Sequence, residues 1–411
     1  MGPGPVTEAL LSAAAQRHVD DTVRVWLGLP RGAEAPVLPE PLARLLLRLE
    51  EHERTTRDRW GCWDHTFSER AQVEVPEIDR WLAAQREELG RHAELTPLWP
   101  DRRPFAICLT HDVDVVSDKL TPKQVVRTAH AAFGPDGRRS LLRPARPVVR
   151  AARALRTGVA RAPSLAATIE RSVALEADRG LTASYFFTVP PAGRWTRWDC
   201  AYAPEDRCTF RGTERRLADV MRALRNEGFD VGLHGSYESA RTPGVLDRER
   251  ARLEAASGAP VETTRQHFLH WDVRWTPQLQ DAAGLHADSS LGFNRTTGFR
   301  AGTSLPFRQF DVAADRALDV VEVPLSVQDA ALLGPIAVQR GTHESVEQVL
   351  AEVGAVGGLL TCVFHPDKLD RPEWLALYEW TLDRAVDSGA WVTSAAGINA
   401  WWRNRERALL A

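Results

Sequence analysis

Residues 106–116 read AICLTHDVDVV: an apolar run of strand character that stops abruptly at His111, Asp112, Val113 and Asp114. Burying charges without partners is costly, so something must hold two carboxylates and an imidazole at this strand end. A metal ion, a reacting substrate or a hydrogen-bonded turn could each do so. Side chains alternate along a strand, so Asp112 and Asp114 share one face while His111 and Val113 share the other. Two carboxylates on one face repel, and one pKa rises unless a cation takes one of them. A divalent metal on one Asp would leave its neighbour free as a general base beside a water. His111, facing away, is expected to be structural.

Outward from this stretch the pattern repeats. Short apolar runs, FAICLT, ASYFFTV, DVGLHG, TTRQHFL, LHADSS, VVEVPL, GLLTCVFH and WVTSAAG, alternate with helical segments such as TERRLADVMRALRNEG and TPQLQDAAG. Strand–helix alternation implies parallel strands with helices packed outside. Seven or eight such units predict an α/β barrel, in which chemistry gathers where strands end and loops begin.

Before residue 101 the chain reads as mainly helical, with helix-period apolar positions in PLARLLLRLEEHERTTRDRW and EIDRWLAAQREEL and an aromatic stretch around Trp60 and Trp63 that suggests burial. TPLWPDRRP then reads as a proline-rich joint. The expected organisation is a helical extension over 1–100 and a barrel over 101–411, with a basic insertion at about 121–163 and a loop and hairpin insertion at about 293–345. Between Thr121 and Pro163 ten Lys or Arg residues face a single acid, Asp136. A solvated helix explains them; contact with a membrane surface or an anionic substrate is the functional reading.

Composition narrows the class. With 44% hydrophobic and 26% charged residues over 411 positions and a net charge of -3, the chain is globular. It gives no reason to expect nucleic-acid binding. No apolar run approaches the roughly 18 residues of a membrane span. The N-terminus lacks the basic start and apolar core of a secretory signal, so a cytoplasmic protein is expected. Five scattered cysteines without a CxxC pair argue against a disulfide framework or a cysteine zinc site.

Further polar strand ends accompany HDVD: His234 in GFDVGLHGSYES, Arg265 and His267 in TTRQHFLHW with His270 beyond them, Asp288 in GLHADSS, and His365 in LLTCVFHPD. In their order and spacing, over roughly residues 104–400, these motifs resemble the polysaccharide deacetylases of the NodB-homology (carbohydrate esterase 4) superfamily. The resemblance implies a distorted (β/α)7-type barrel. It implies hydrolysis of an N-acetyl amide on a carbohydrate or glycoconjugate with one divalent metal, zinc most often, cobalt or manganese otherwise. Carried over motif by motif, it makes Asp112 the base, Asp114 and His234 metal ligands, and Arg265 the support of the base. Asp288 becomes the acid that tunes His365, and His365 the general acid. The family's second metal histidine is missing, and Glu238 stands in its place. His267, on the same strand face as Arg265, is the preferred third ligand and Glu238 the alternative. Arg300, in GFRAGTS, and Trp271 are candidate substrate contacts, with Trp195, Trp198 and Trp275 near the same loops. Hydrolysis of a non-sugar C–N amide, or a non-catalytic barrel used for binding, are the competing readings.

Overall fold

The computed structural model describes residues 11–116, 166–189, 198–200, 202–335, 337 and 343–411. The basic insertion and Trp195 lie outside them. Each of the eight apolar runs carries a strand: β1 Ala106–Val113, β2 Ser184–Phe187, β5 Asp230–Gly235, β6 Thr263–Gln266, β7 Ala287–Asp288, β9 Arg316–Glu322, β11 Leu359–Phe364 and β12 Trp391–Thr393. Four others complete the set: β3 Arg207–Phe210, β4 Thr213–Arg216, β8 Phe307–Asp311 and β10 Val327–Gln328.

The main sheet runs β10-β11-β1-β2-β5-β6-β7-β9-β8, with β12 also on β1. All its pairings are parallel except β8 with β9. β1 is shared: β11 lines one side of it, while Ala106–Cys108 pair with β12 and Thr110–Val113 with β2 on the other. No ladder joins the two ends of the path among the described residues. The short segment between β9 and β10 spans them instead. Val323 N–H donates to Asp288 O at 2.7 Å, and Ser326 N–H to Thr361 O at 3.2 Å. The sheet therefore curls round as a distorted barrel.

Alternation along β1 sorts its residues between two cores. Ile107 and Leu109 pack with Val173, Leu360, Leu377 and Leu382, beneath the outer helices. Ala106 and Cys108 face the other way, into a cluster with Phe186, Val321 and Leu359 that also contains Val19, Trp26, Leu46, Ile78 and Trp402. The extension thus shares a core with the barrel rather than standing apart, and the joint is fixed as well. Trp99 is buried and its Nε1–H donates to Gly357 O at 2.8 Å.

Two segments differ from the sequence reading. The expected helix over residues 41–60 is split into Glu40–Leu46 and Leu49–Glu53 by Arg48, whose φ is 59°. Arg48 is buried there between Glu51 and the carbonyl of Arg300. The helix expected to start at Thr213 starts at Leu217, because Thr213–Arg216 pair with Arg207–Phe210 across a two-residue turn. Arg211 and Gly212 both take positive φ, 51° and 70°, as a two-residue hairpin turn matching strand twist requires. Among the described residues no helix is long and apolar enough to cross a membrane.

Candidate metal-dependent active site

The polar strand ends meet at the C-terminal ends of β1, β5, β6 and β11. Asp112, on the inner face of β1, is buried and accepts from Arg265 Nη1 at 3.0 Å. That guanidinium is fully enclosed. Its Nη1 also reaches Thr110 Oγ1 (2.7 Å), its Nε the carbonyl of Ser289 (2.7 Å) and its Nη2 the hydroxyl of Ser289 (2.7 Å). All three nitrogens are therefore bonded, four of the five N–H donors finding partners, and the plane of the group is fixed. Burial pushes the Asp112 carboxyl up, but Arg265 first, then His234 and His365, outweigh it and hold it below the ordinary carboxylate range.

Asp114 follows β1 directly. Its Oδ1 lies 3.4 Å from His234 Nε2 and 3.5 Å from His267 Nε2. One donor atom from each of the three residues falls within 4.8 Å of the others. His234 Nδ1–H donates to the carbonyl of Arg265 at 2.9 Å, which leaves Nε2 as the free lone pair. That Nε2 is buried and has no hydrogen-bond partner. A backbone-anchored imidazole with an orphaned nitrogen aimed at a carboxylate and a second imidazole could serve as the donor set of a divalent metal. Charge agrees: burial opposes the imidazolium of His267, yet Cys200 and Asp114 drive its pKa well above the ordinary value. A cation is favoured at this point. Glu238, on the turn Tyr237–Ala240, is exposed and outside the cluster.

His267 arrives by an unusual backbone route. β6 ends at Gln266, and Phe268 and Leu269 then take φ of 61° and 49°. Left-handed non-glycine residues are strained and persist where their surroundings hold them. Here Asn294 Nδ2–H donates to Phe268 O at 2.8 Å, and the Cys62 thiol approaches the same carbonyl at 3.5 Å. The second clamp comes from the N-terminal extension.

His365 borders the same cluster. Its Nε2 is 3.7 Å from Asp114 Oδ2, and its Nδ1 is 2.6 Å from Asp329 Oδ1, while its own N–H donates to Asp329 Oδ2 at 2.8 Å. Burial works against the charged ring, but Asp329 outweighs it and pushes the imidazole up to about 10.

The partner of His365 is thus Asp329 and not Asp288. Asp288 is turned the other way, bonded by Ser290 Oγ at 2.6 Å and paired with Glu322 on β9. Its place at the end of β7, beside Glu322 in register, directs it there. Asp329 lies inside the segment expected to be an insertion, apart from the polar strand ends singled out in the sequence. Its sequence signal is one more acid following an apolar run, VVEVPLSVQD.

Arg300 and Trp271 do not face the site either. Arg300 is buried, forms a two-pronged pair with Glu51 (Nε to Oε1 3.0 Å, Nη2 to Oε2 2.7 Å), and lies 5.2 Å over the ring of the fully buried Trp271. A buried guanidinium needs a carboxylate, and the extension supplies it. The aromatic border of the site is instead Trp198 and Phe268. Their rings are 6.0 Å apart, and that of Phe268 is 4.4 Å from His267. His111 points outward, 2.8 Å from Glu176 Oε1 and stacked on Tyr185 at 4.4 Å.

The sequence matches no protein-family model and no curated protein. In fold the chain is similar to a solved structure described as a polysaccharide deacetylase of Mycobacterium smegmatis (18% identity, 77% of this chain and 97% of that one, TM-score 0.48). It is similar also to the allantoinase Puue (13%, 76% and 95%, TM-score 0.47). A third, described as a polysaccharide deacetylase of Pseudomonas aeruginosa PAO1, shares 16% identity over 76% of this chain and 95% of that one, with TM-score 0.45.

Proposed function

We propose that this chain is a metal-dependent amide hydrolase that removes an N-acetyl group from a carbohydrate or glycoconjugate. One observation carries the reading: the carboxylate of Asp112, held by Arg265, and the imidazole of His365, held by Asp329, are separate groups that both border the three-donor cluster, the first 3.9 Å from His234 Nε2 and the second 3.7 Å from Asp114 Oδ2. Amide hydrolysis needs that separation, because a base must activate water and an acid must protonate a poorly leaving amine.

Asp114, His234 and His267 would hold the ion. A bound divalent cation lowers the pKa of water and polarises the amide carbonyl. Asp112 takes the proton from the attacking water at Oδ2, the oxygen that Arg265 leaves free and that lies 3.9 Å from His234 Nε2. Arg265 is a positioning residue: it keeps the base ionised and its plane fixed. His365 donates from Nε2 to the departing nitrogen, and Asp329 restrains Nδ1 so that the ring presents that edge. The carbohydrate part of the proposal is supported by the aromatic border, since Trp198 and the 40% exposed Phe268 present apolar faces beside His267.

The test is a panel of acetamido sugars and small amides, assayed for amine release with the zinc-, cobalt- and manganese-loaded protein. Asp112→Asn should lower turnover of any accepted substrate by roughly 100- to 10,000-fold, the range for loss of a general base, while metal content stays unchanged. Acceptance of non-sugar amides alone would redirect the substrate assignment. Full activity in Asp112→Asn would defeat the mechanism.

A further inference from the structure

Cys200 borders the cluster and has no part in the mechanism above. Its Sγ lies 3.8 Å from Asp114 Oδ1 and 3.9 Å from His267 Nε2, with Thr188 Oγ1–H donating to it at 3.2 Å. The thiol is buried. Cys108 and Cys362, by contrast, sit within β1 and β11, and Cys62 turns to the carbonyls of Trp60 and Phe268.

Bond lengths make these separations informative. Zinc binds nitrogen or oxygen at about 2.0 Å and thiolate sulfur at about 2.3 Å, so tetrahedral donors stand about 3.3 Å apart, or about 3.5 Å when one is sulfur. The two imidazoles stand 3.4 and 3.5 Å from Asp114 Oδ1. Sulfur is a few tenths of an ångström beyond that spacing from two of the three donors. An independent observation points to the same spot: His234 Nε2, on a side chain 1% exposed, is aimed into the cluster without a hydrogen-bond partner.

We propose that Cys200 is a fourth donor, which makes the cluster an Asp-His-His-Cys site selective for zinc. The inference rests on the metal-dependent reading above. On binding, the S–H bond breaks, a sulfur–metal bond forms, and the proton leaves to solvent; nothing is oxidised or reduced. Thiolate is a soft donor that favours zinc, whereas carboxylate and imidazole alone leave the harder manganese and magnesium in competition. Zinc can take five donors, so a sulfur ligand does not close the site to catalysis.

The experiment uses the full chain. Wild type, Cys200→Ser and Cys200→Ala are loaded with cobalt(II), near-ultraviolet absorption is recorded, and zinc and manganese affinities are measured by competition. A sulfur-to-cobalt charge-transfer band in wild type, lost in both variants, is expected. With it goes a fall in the zinc-to-manganese affinity ratio of roughly tenfold or more, a size that changes around a metal commonly produce. The wild-type spectrum is decisive even should a variant fail to fold. Bound cobalt without the band would overturn the sulfur ligand and leave the three-donor site standing. No bound cobalt would overturn both.

Discussion

Two groups of carboxylates lie a few strands apart and behave in opposite ways. At the strand ends, Asp112 and Asp114 are both driven below the ordinary carboxylate range, because Arg265, His234, His267 and His365 surround them. On β7 and β9, burial drives both Asp288 and Glu322 upward and Asp288 adds to the rise at Glu322, while Ser290, Gln280 and the charge of Arg265 at Asp288, and Gln309 and the Leu291 N–H at Glu322, pull the other way without prevailing. All four are carboxylates, and Asp112 is nearly as buried as Asp288 and Glu322, while Asp114 is partly exposed. The difference is the directness of the cationic partners: where ion pairs reach the acids the protein keeps negative charge at hand for a metal and a base, and where the arginines act only from further off burial prevails and the pair holds on to a proton. A strand-end acid therefore reads as functional only together with what faces it.

The largest effect expected from disturbing this contrast comes from removing the guanidinium. Arg265→Leu leaves Asp112 buried without its main partner, and breaking a buried pair in this way costs about 3–5 kcal/mol. Urea unfolding monitored by circular dichroism should show it, and a loss under 1 kcal/mol would mean that Asp112 is solvated or held otherwise.

Next comes the acid side of the site. With Asp329 in place the His365 imidazole stays protonated up to about 10. Asp329→Asn should bring the basic limb of the kcat–pH profile down toward the ordinary histidine value of about 6.5. An unmoved limb would detach Asp329 from the acid.

The smallest effect belongs to the inner pair. An acid whose folded pKa is raised binds more protons folded than unfolded, so its stabilisation is complete at low pH and is lost as pH rises above the unfolded carboxylate value of about 4. Glu322→Gln should flatten the fall of stability between acid and neutral pH, read as melting temperature against pH. A steeper slope would show that the pair is not protonated.

The alternation of β1 was legible from the sequence, and with it the inward Asp112 and the outward His111, since a period of two needs no tertiary information. The eight strands were legible for a different local reason, as short apolar runs set between helical segments. What stayed hidden depends on residues far apart along the chain. Asp329 and His365 are 36 positions apart, and either Asp329 or Asp288 could have folded back on that ring. Arg300 read as a loop arginine open to substrate, because Glu51, its partner 249 positions away, belongs to a segment whose docking no local pattern reveals. His267 reaches the cluster by a route other than the strand face expected for it beside Arg265. The strand stops one residue short of it, and the left-handed turn at Phe268 and Leu269, clamped by Asn294 and Cys62, completes the path.

The central claim is that Asp114, His234 and His267 hold a divalent metal. Elemental mass spectrometry on protein purified without chelators or an affinity metal tests it, on wild type beside His267→Ala and Glu238→Ala. The account predicts about one zinc, cobalt or manganese ion per chain in wild type and in Glu238→Ala, as a single catalytic site requires, and a large loss in His267→Ala. A wild type that takes up no metal even after soaking, or metal lost from Glu238→Ala but kept by His267→Ala, would contradict it.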